Sequence, residues 1–270
     1  MQLPPLIFET NTYQVFWQGN SALSEIRTHY QPNARLQLAP LERESIERHW
    51  QELKLSKHVE NLPLYRLLGA RSQPYGLFLE LGLTGYKEYQ GTNVRRPSWA
   101  LSKPAEKMAN PLALSAVTVT NDGIIILQSR SQNVAEYSNR WHVTPSGHAH
   151  PPQTLASALK TELWEELAVK PDEIKGEIIV TGLIVNRENG KPELTLLMRL
   201  NIPAADALKR SAQDRWEYER LQTVTWESYT IKDWLQHNSN SCVPPGHAAL
   251  VLAGRVDFGD DWKDKVLDFE

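Results

Sequence analysis

The sequence predicts an α/β sandwich, and three observations carry that expectation. Short strand-like runs alternate with helical ones through the second half of the chain. The run Ile124–Leu127 is apolar without alternation, as in a strand covered on both faces. Leu155, Leu159, Leu163 and Leu167 recur every four residues, which lays an apolar stripe along one side of a helix. At 270 residues the chain can bury one large core with a smaller appended module. A smaller α/β module over residues 1–105 and a main domain over 106–270 are the expected units.

Taken in order, "PLERESIERHWQELKL" from about residue 40 spaces Ile46, Trp50 and Leu53 on one helical face. "LYRLLGARSQPYGLFLELGLTGY" reads as two strands joined by a polar, proline-containing turn. Residues 90–111 lack periodicity and hold three prolines, which marks them as a candidate linker. "SAVTVTNDGIIILQSRS" is two strands around Asn121-Asp122-Gly123, residues that tolerate positive φ. "RWHVTPSG" is a short strand, "GEIIVTGLIVNRENGKPELTLLMRLNI" a second hairpin and "LQTVTWE" a further strand. "TIKDWLQH" and "PPGHAALVLAGRV" close the chain as helices, the second with prolines where a missing N–H costs little.

Composition narrows the function classes. Apolar residues make up 41% and charged residues 23%, with a net charge of −3, so no general affinity for nucleic acid or membranes is expected. The single cysteine, Cys242, excludes an internal disulfide and a multi-cysteine zinc site. The opening residues show no basic region followed by a long apolar run, and no stretch reaches the roughly 20 apolar residues that span a bilayer. A cytoplasmic protein is the default expectation.

The informative stretch is "GHAHPPQTLASALKTELWEELAV", residues 147–169. On a helical wheel Glu162 and Glu166 fall within about 20° of Leu155, and Glu165 lies about 80° to its outer side. The three carboxylates therefore border the buried stripe. Like charges four residues apart repel, partial burial raises that cost, and the C-terminal half of a helix disfavours anions. A hard divalent cation with oxygen ligands relieves all three penalties. The competing reading is a solvated acidic face.

These residues resemble the Nudix box, the loop–helix signature G-x5-E-x7-R-E-U-x-E-E-x-G-U, where U is a bulky aliphatic residue. Gly147, Glu162, Leu163, Glu165, Glu166 and Val169 match it; Gln153, Thr161 and Ala168 depart from its first Glu, its Arg and its late Gly. In the family that Glu and Arg brace one another, so losing both leaves no orphan charge. "LELGLTGYKEYQGTN", "NPLALSAVTVTNDGIIILQSRSQNVAE" and "PSGHAHP" further resemble the Nudix hydrolases that split UDP-glucose and UDP-galactose. The similarity covers roughly residues 65–270.

The resemblance implies an α/β/α sandwich with a mixed central sheet, preceded by the N-terminal module. It also implies Mg²⁺-dependent hydrolysis, with Mn²⁺ as the other metal, of a nucleotide sugar to UMP and a sugar 1-phosphate. Glu162, Glu165 and Glu166 are then the expected catalytic and metal-binding residues. Glu217, preferred over Glu219, is expected as a ligand from outside the box, against an exposed salt-bridge role. Arg130 and Arg187, near strand ends, are candidates for phosphate or uracil, and Tyr86, Tyr89 and Asn93 for base or sugar. Solvation, core packing and turn-making are their competing roles. His148 and His150 form an H-x-H pair too sparse for zinc, and loop polarity or a hydrogen bond from His148 to substrate phosphate is expected instead. Two alternatives stand beside the nucleotide sugar: another nucleoside diphosphate derivative (ADP-ribose, NADH, a coenzyme A species), or a Nudix-fold module that binds a nucleotide without turnover.

Overall fold

The computed structural model describes residues 1–95 and 107–267. Among these, two sheets form. The larger has nine strands, with β1 (Phe8–Glu9), β2 (Tyr13–Ala22), β10 (Ile179–Asn186), β11 (Pro192–Arg199), β6 (Ala113–Val119), β7 (Ile124–Arg130) and β12 (Tyr218–Thr225) side by side. Two short strands, β8 (Trp141–Val143) and β9 (Ser146–His148), pair with β7 and β6. The β11–β6 pair is parallel and its neighbours are antiparallel, so the sheet is mixed. The smaller sheet orders β3 (Arg27–Arg35), β5 (Gly76–Gly85) and β4 (Pro63–Gln73).

Helices cover both faces of the large sheet. Leu114, Ala116, Leu194, Leu196 and Met198 share a core with helix α3 (Leu155–Leu167) and with Leu67, Leu77 and Leu79 of the small sheet. The alternate positions Val117, Val119 and Leu197 pack with helix α6 (Pro244–Phe258) on the other face. The expected α/β sandwich with a mixed sheet is thus formed. Helix α3 lies between the two sheets, which explains its leucine stripe: Leu159 and Leu163 are 0% exposed. Thr154 caps its start by accepting from Ser157 N at 3.1 Å. Ala168 ends it in the left-handed region at φ 52°, the conformation for which the Nudix signature carries glycine.

Strand β2 pairs antiparallel with β10, so the described residues before 105 contribute strands to both sheets. The segment 90–111 is no free linker where it is described. Residues Gln90–Asn93 are buried in a helical turn that continues α2 (Tyr86–Tyr89). Asn110 N donates to Asn93 Oδ1 at 3.1 Å. The expected boundary at 105 falls outside the described residues. Helix α1 (Pro40–Lys54) packs Ile46 so close to Gly91 that a β-carbon there would lie 2.5 Å from it. Backbone bonds stitch β4 to the large sheet, with Tyr65 N donating to Ala149 O and Leu112 N to Tyr65 O at 2.9 and 2.8 Å.

Candidate functional site

A cleft of about 600 Å³ opens above α3, between that helix, β9, the hairpin start at Lys191 and the turn Asp214–Glu217. Its best-defined contact is between Glu162 and Gly147. A β-carbon on residue 147 would lie 2.0 Å from Glu162 Oε1, so the carboxylate rests against the glycine backbone. Any side chain at 147 would displace it.

Glu162 and Glu165 line the cleft, whereas Glu166 lies beneath its floor at 1% exposure. Glu166 accepts from Ser146 N at 3.2 Å, from Gln128 Nε2 at 3.4 Å and, in a short bond, from the Thr144 hydroxyl. The fourth carboxylate arrives from a distant part of the chain. Asp214 N donates to the Glu165 carbonyl at 2.9 Å, pinning the turn against the helix, and Glu217 lines the same cleft.

The consequence is electrostatic. Burial, then Glu166, Glu217, Glu165 and Asp214, hold the Glu162 carboxyl well above its ordinary range. Burial and then Glu217 push Glu166 to about 8, against the stabilising bonds from Thr144 and Ser146. Glu217 is raised by burial, which Arg130 opposes, and Glu165 is raised by burial and Asp214. Four carboxylates that each resist ionisation face one region. Among the described residues, no group of three or more His, Cys, Asp or Glu is drawn together tightly enough to hold a metal ion.

Of the expected substrate contacts, Arg130, Tyr86 and His148 line the cleft. His148 sits edge-on to Tyr86 and Tyr89, with ring centroids 5.7 and 5.3 Å away. Burial, then Lys191 and Arg130, lower its pKa well below the usual histidine range, so it is neutral. Tyr89 is buried behind it and donates to Glu136. Two other candidates lie off the cleft. Arg187 is held away from the cleft by Thr10 O at 3.1 Å and Glu9 Oε2 at 3.2 Å. Asn93 is 0% exposed and spends its amide on Asn189 O and Asn110 Oδ1. Gln153 and Thr161, which stand where the signature has its paired Glu and Arg, both line the cleft.

Sequence reasoning missed Lys191, Glu193 and His142, all cleft residues and all under 10% exposed. One signal was present in the sequence: Glu193 is a charge inside the apolar strand "PELTLLM".

No protein-family model matches the chain. It is 32% identical over 122 residues to the human uridine diphosphate glucose pyrophosphatase NUDT22, covering 40% of each chain. It is 38% identical over 111 residues to the mouse protein of that name, covering 37% of this chain and 35% of that one. Nudix hydrolase 9 of Arabidopsis thaliana is 24% identical over 190 residues, with 58% and 60% covered. The match therefore spans about two fifths of the pyrophosphatases' length. Among solved structures, a mutT/nudix family protein from Listeria innocua aligns with TM-score 0.40 and 16% identity, over 54% of this chain and 93% of that one. The resemblance to Nudix proteins expected from residues 147–169 is thus found across the chain's curated relatives.

Proposed function

We propose that this Nudix-like chain is a pyrophosphohydrolase that splits the diphosphate of UDP-glucose or UDP-galactose into UMP and a sugar 1-phosphate. One observation carries the reading: Glu162, Glu165, Glu166 and Glu217 are gathered at one cleft, with every carboxyl pKa raised by burial or by the others. Such a set is costly unless a cation or protons compensate it. The all-oxygen donor chemistry fits Mg²⁺ or Mn²⁺. Glu162, Glu165 and Glu217 would hold the ion from the cleft side. Glu166 would join by exchanging one of its present bonds to Thr144, Ser146 or Gln128. When bound, the cation neutralises diphosphate charge and lowers the pKa of water.

The chain's own residues supply the rest. Arg130, at the end of β7, offers a fork of donors to phosphate oxygens. A cleft carboxylate with a raised pKa is a stronger base than an ordinary one and takes the proton from the attacking water. The new O–P bond forms as the bridging O–P bond breaks, and the sugar phosphate or UMP leaves with that oxygen. Gly147 keeps Glu162 at the backbone, and neutral His148 donates to or accepts from substrate without adding charge. The N-terminal residues take part in substrate choice through Tyr86 and His58, which line the cleft. Among the described residues no helix is long and apolar enough to cross a membrane.

The test is a panel of UDP-glucose, UDP-galactose, ADP-ribose, NADH and a coenzyme A derivative, incubated with Mg²⁺ or Mn²⁺ and read by product mass. UMP and hexose 1-phosphate are expected, with rates rising toward alkaline pH as the carboxyls ionise. Turnover of ADP-ribose or NADH far above the UDP-sugars overturns the substrate. Indifference to every divalent cation overturns the metal-dependent reading.

A further inference from the structure

At the same cleft two opposite charges are buried. Glu193 is 1% exposed and Lys191 8%, and their charged atoms stand 3.4 Å apart. A buried ion pair seldom stabilises more than apolar residues of the same volume. Ser115 satisfies Glu193 Oε1, while Oε2 faces only the Lys191 ammonium and accepts no hydrogen bond. The neighbouring atoms are in the same condition. His142 Nδ1, Ser146 Oγ, His148 Nε2 and Gln153 Oε1 are buried without partners, and all five side chains line this cleft. They make up five of the eleven such atoms among the described residues, so unsatisfied polarity is concentrated here. Each such group carries a desolvation penalty unless something else satisfies it.

The mixture of groups selects the chemistry of that partner. An anion would meet Glu193, a cation would meet Lys191, and an apolar group would leave every atom unpaired. A hydroxyl both donates and accepts, so it can serve a carboxylate, an ammonium and neutral imidazoles alike. Several hydroxyls on one ring can serve them together. The strand register sets the scale. Glu193 lies opposite Ala113, and Ala113 opposite His148, which spans two strand spacings, or about 10 Å. His148 follows Gly147, on which Glu162 rests.

We propose that Lys191, Glu193, His142 and His148 form a subsite for a polyhydroxylated ring, the non-nucleoside sugar of the substrate, and that Lys191 and Glu193 determine specificity for it. The inference rests on the hydrolase reading for the identity of the substrate. It is tested separately by binding without turnover. Calorimetry of the full chain in EDTA compares UDP-glucose with the methyl ester of UDP, which keeps the nucleoside and diphosphate but has no second sugar. Wild type should bind UDP-glucose at least about tenfold more tightly, the worth of one hydrogen bond to a charged group. Glu193→Gln and Lys191→Met should each remove most of that preference while leaving the methyl ester within about twofold, since neither substitution alters the diphosphate contacts. Equal affinities in the wild type, or no binding of UDP-glucose, overturn the subsite even where a variant fails to fold. A loss shared equally by both compounds also overturns it. Absence of UMP in the product assay, with the sugar preference intact in EDTA, defeats the hydrolase reading alone.

Discussion

Helices α3 and α6 cover opposite faces of one sheet, and they bury different things. Every residue from Pro244 to Gly254 of α6 is buried, and most are aliphatic or small. Helix α3 buries its leucines equally well but takes Glu166 down with them and leaves Glu162 and Glu165 at the cleft. A helix stretch that is apolar all round is a buried packing element. A helix that carries carboxylates into its packed side gives up stability, which the proposed metal chemistry would explain. Substitutions in the two helices should therefore separate activity from stability.

The largest effect is expected at Glu166. Glu166→Gln keeps the shape and removes the carboxylate that a bound cation would draw on, so turnover should fall about 100-fold or more, as when a main electrostatic contributor is lost. The metal-free protein should keep its melting temperature or gain slightly. Full activity would reject Glu166 as a ligand. In α6 the pattern should invert. Leu250 is 0% exposed, so Leu250→Ala should cost about 2–5 kcal/mol in denaturant unfolding, with kcat per folded molecule unchanged. A kcat loss there would break the contrast.

The pH dependence sharpens it. Glu166 has a folded pKa of about 8 against an ordinary 4.5, so the folded state holds the proton the unfolded state has released. Stability of the metal-free protein should thus fall as pH rises from 4.5 toward 8 and level off above. Glu166→Gln should reduce this slope in pH-resolved melts, with Glu162, Glu165 and Glu217 supplying what remains. A smaller gain is expected from Ala168→Gly, because left-handed backbone costs a non-glycine residue roughly 1 kcal/mol. A melting temperature no higher than wild type would show that the turn relaxes around alanine. Least of all should change in Arg187→Ala. Its partly exposed pair with Glu9 contributes at most about 1 kcal/mol, and activity should persist. A large kcat loss would restore Arg187 to the site.

Much of this contrast was legible in the sequence, because both helices speak through periodicity. Four leucines at spacing four located α3, and the angular offset of each glutamate ordered their burial: Glu166 is enclosed and Glu165 half-buried. The hairpins at Asn121–Gly123 and around residue 189 were readable from turn chemistry. Nonlocal pairing was not. Nothing in Tyr13–Ala22 announces β10 as its partner, and it is that pairing which brings Glu9 and Thr10 to Arg187. Arg130, at a strand end of similar appearance, faces the cleft instead. Lys191 sat in what looked like an ordinary turn, and only Glu193, a charge inside an apolar strand, hinted at the buried pair.

The pairing of β2 with β10 also bears on how the chain comes off the ribosome. Tyr13 finds its partner Asn186 only after about 170 further residues have been made, roughly 9–35 s at usual synthesis rates. During that interval an apolar strand carrying Tyr13, Val15 and Trp17 waits with its edge unpaired. The small sheet and α1 can assemble earlier from nearby residues, so the nascent chain passes through a stage in which one edge of β2 lacks its partner. Holdase chaperones would bind at that stage, and slowing translation downstream of residue 60 would lengthen it.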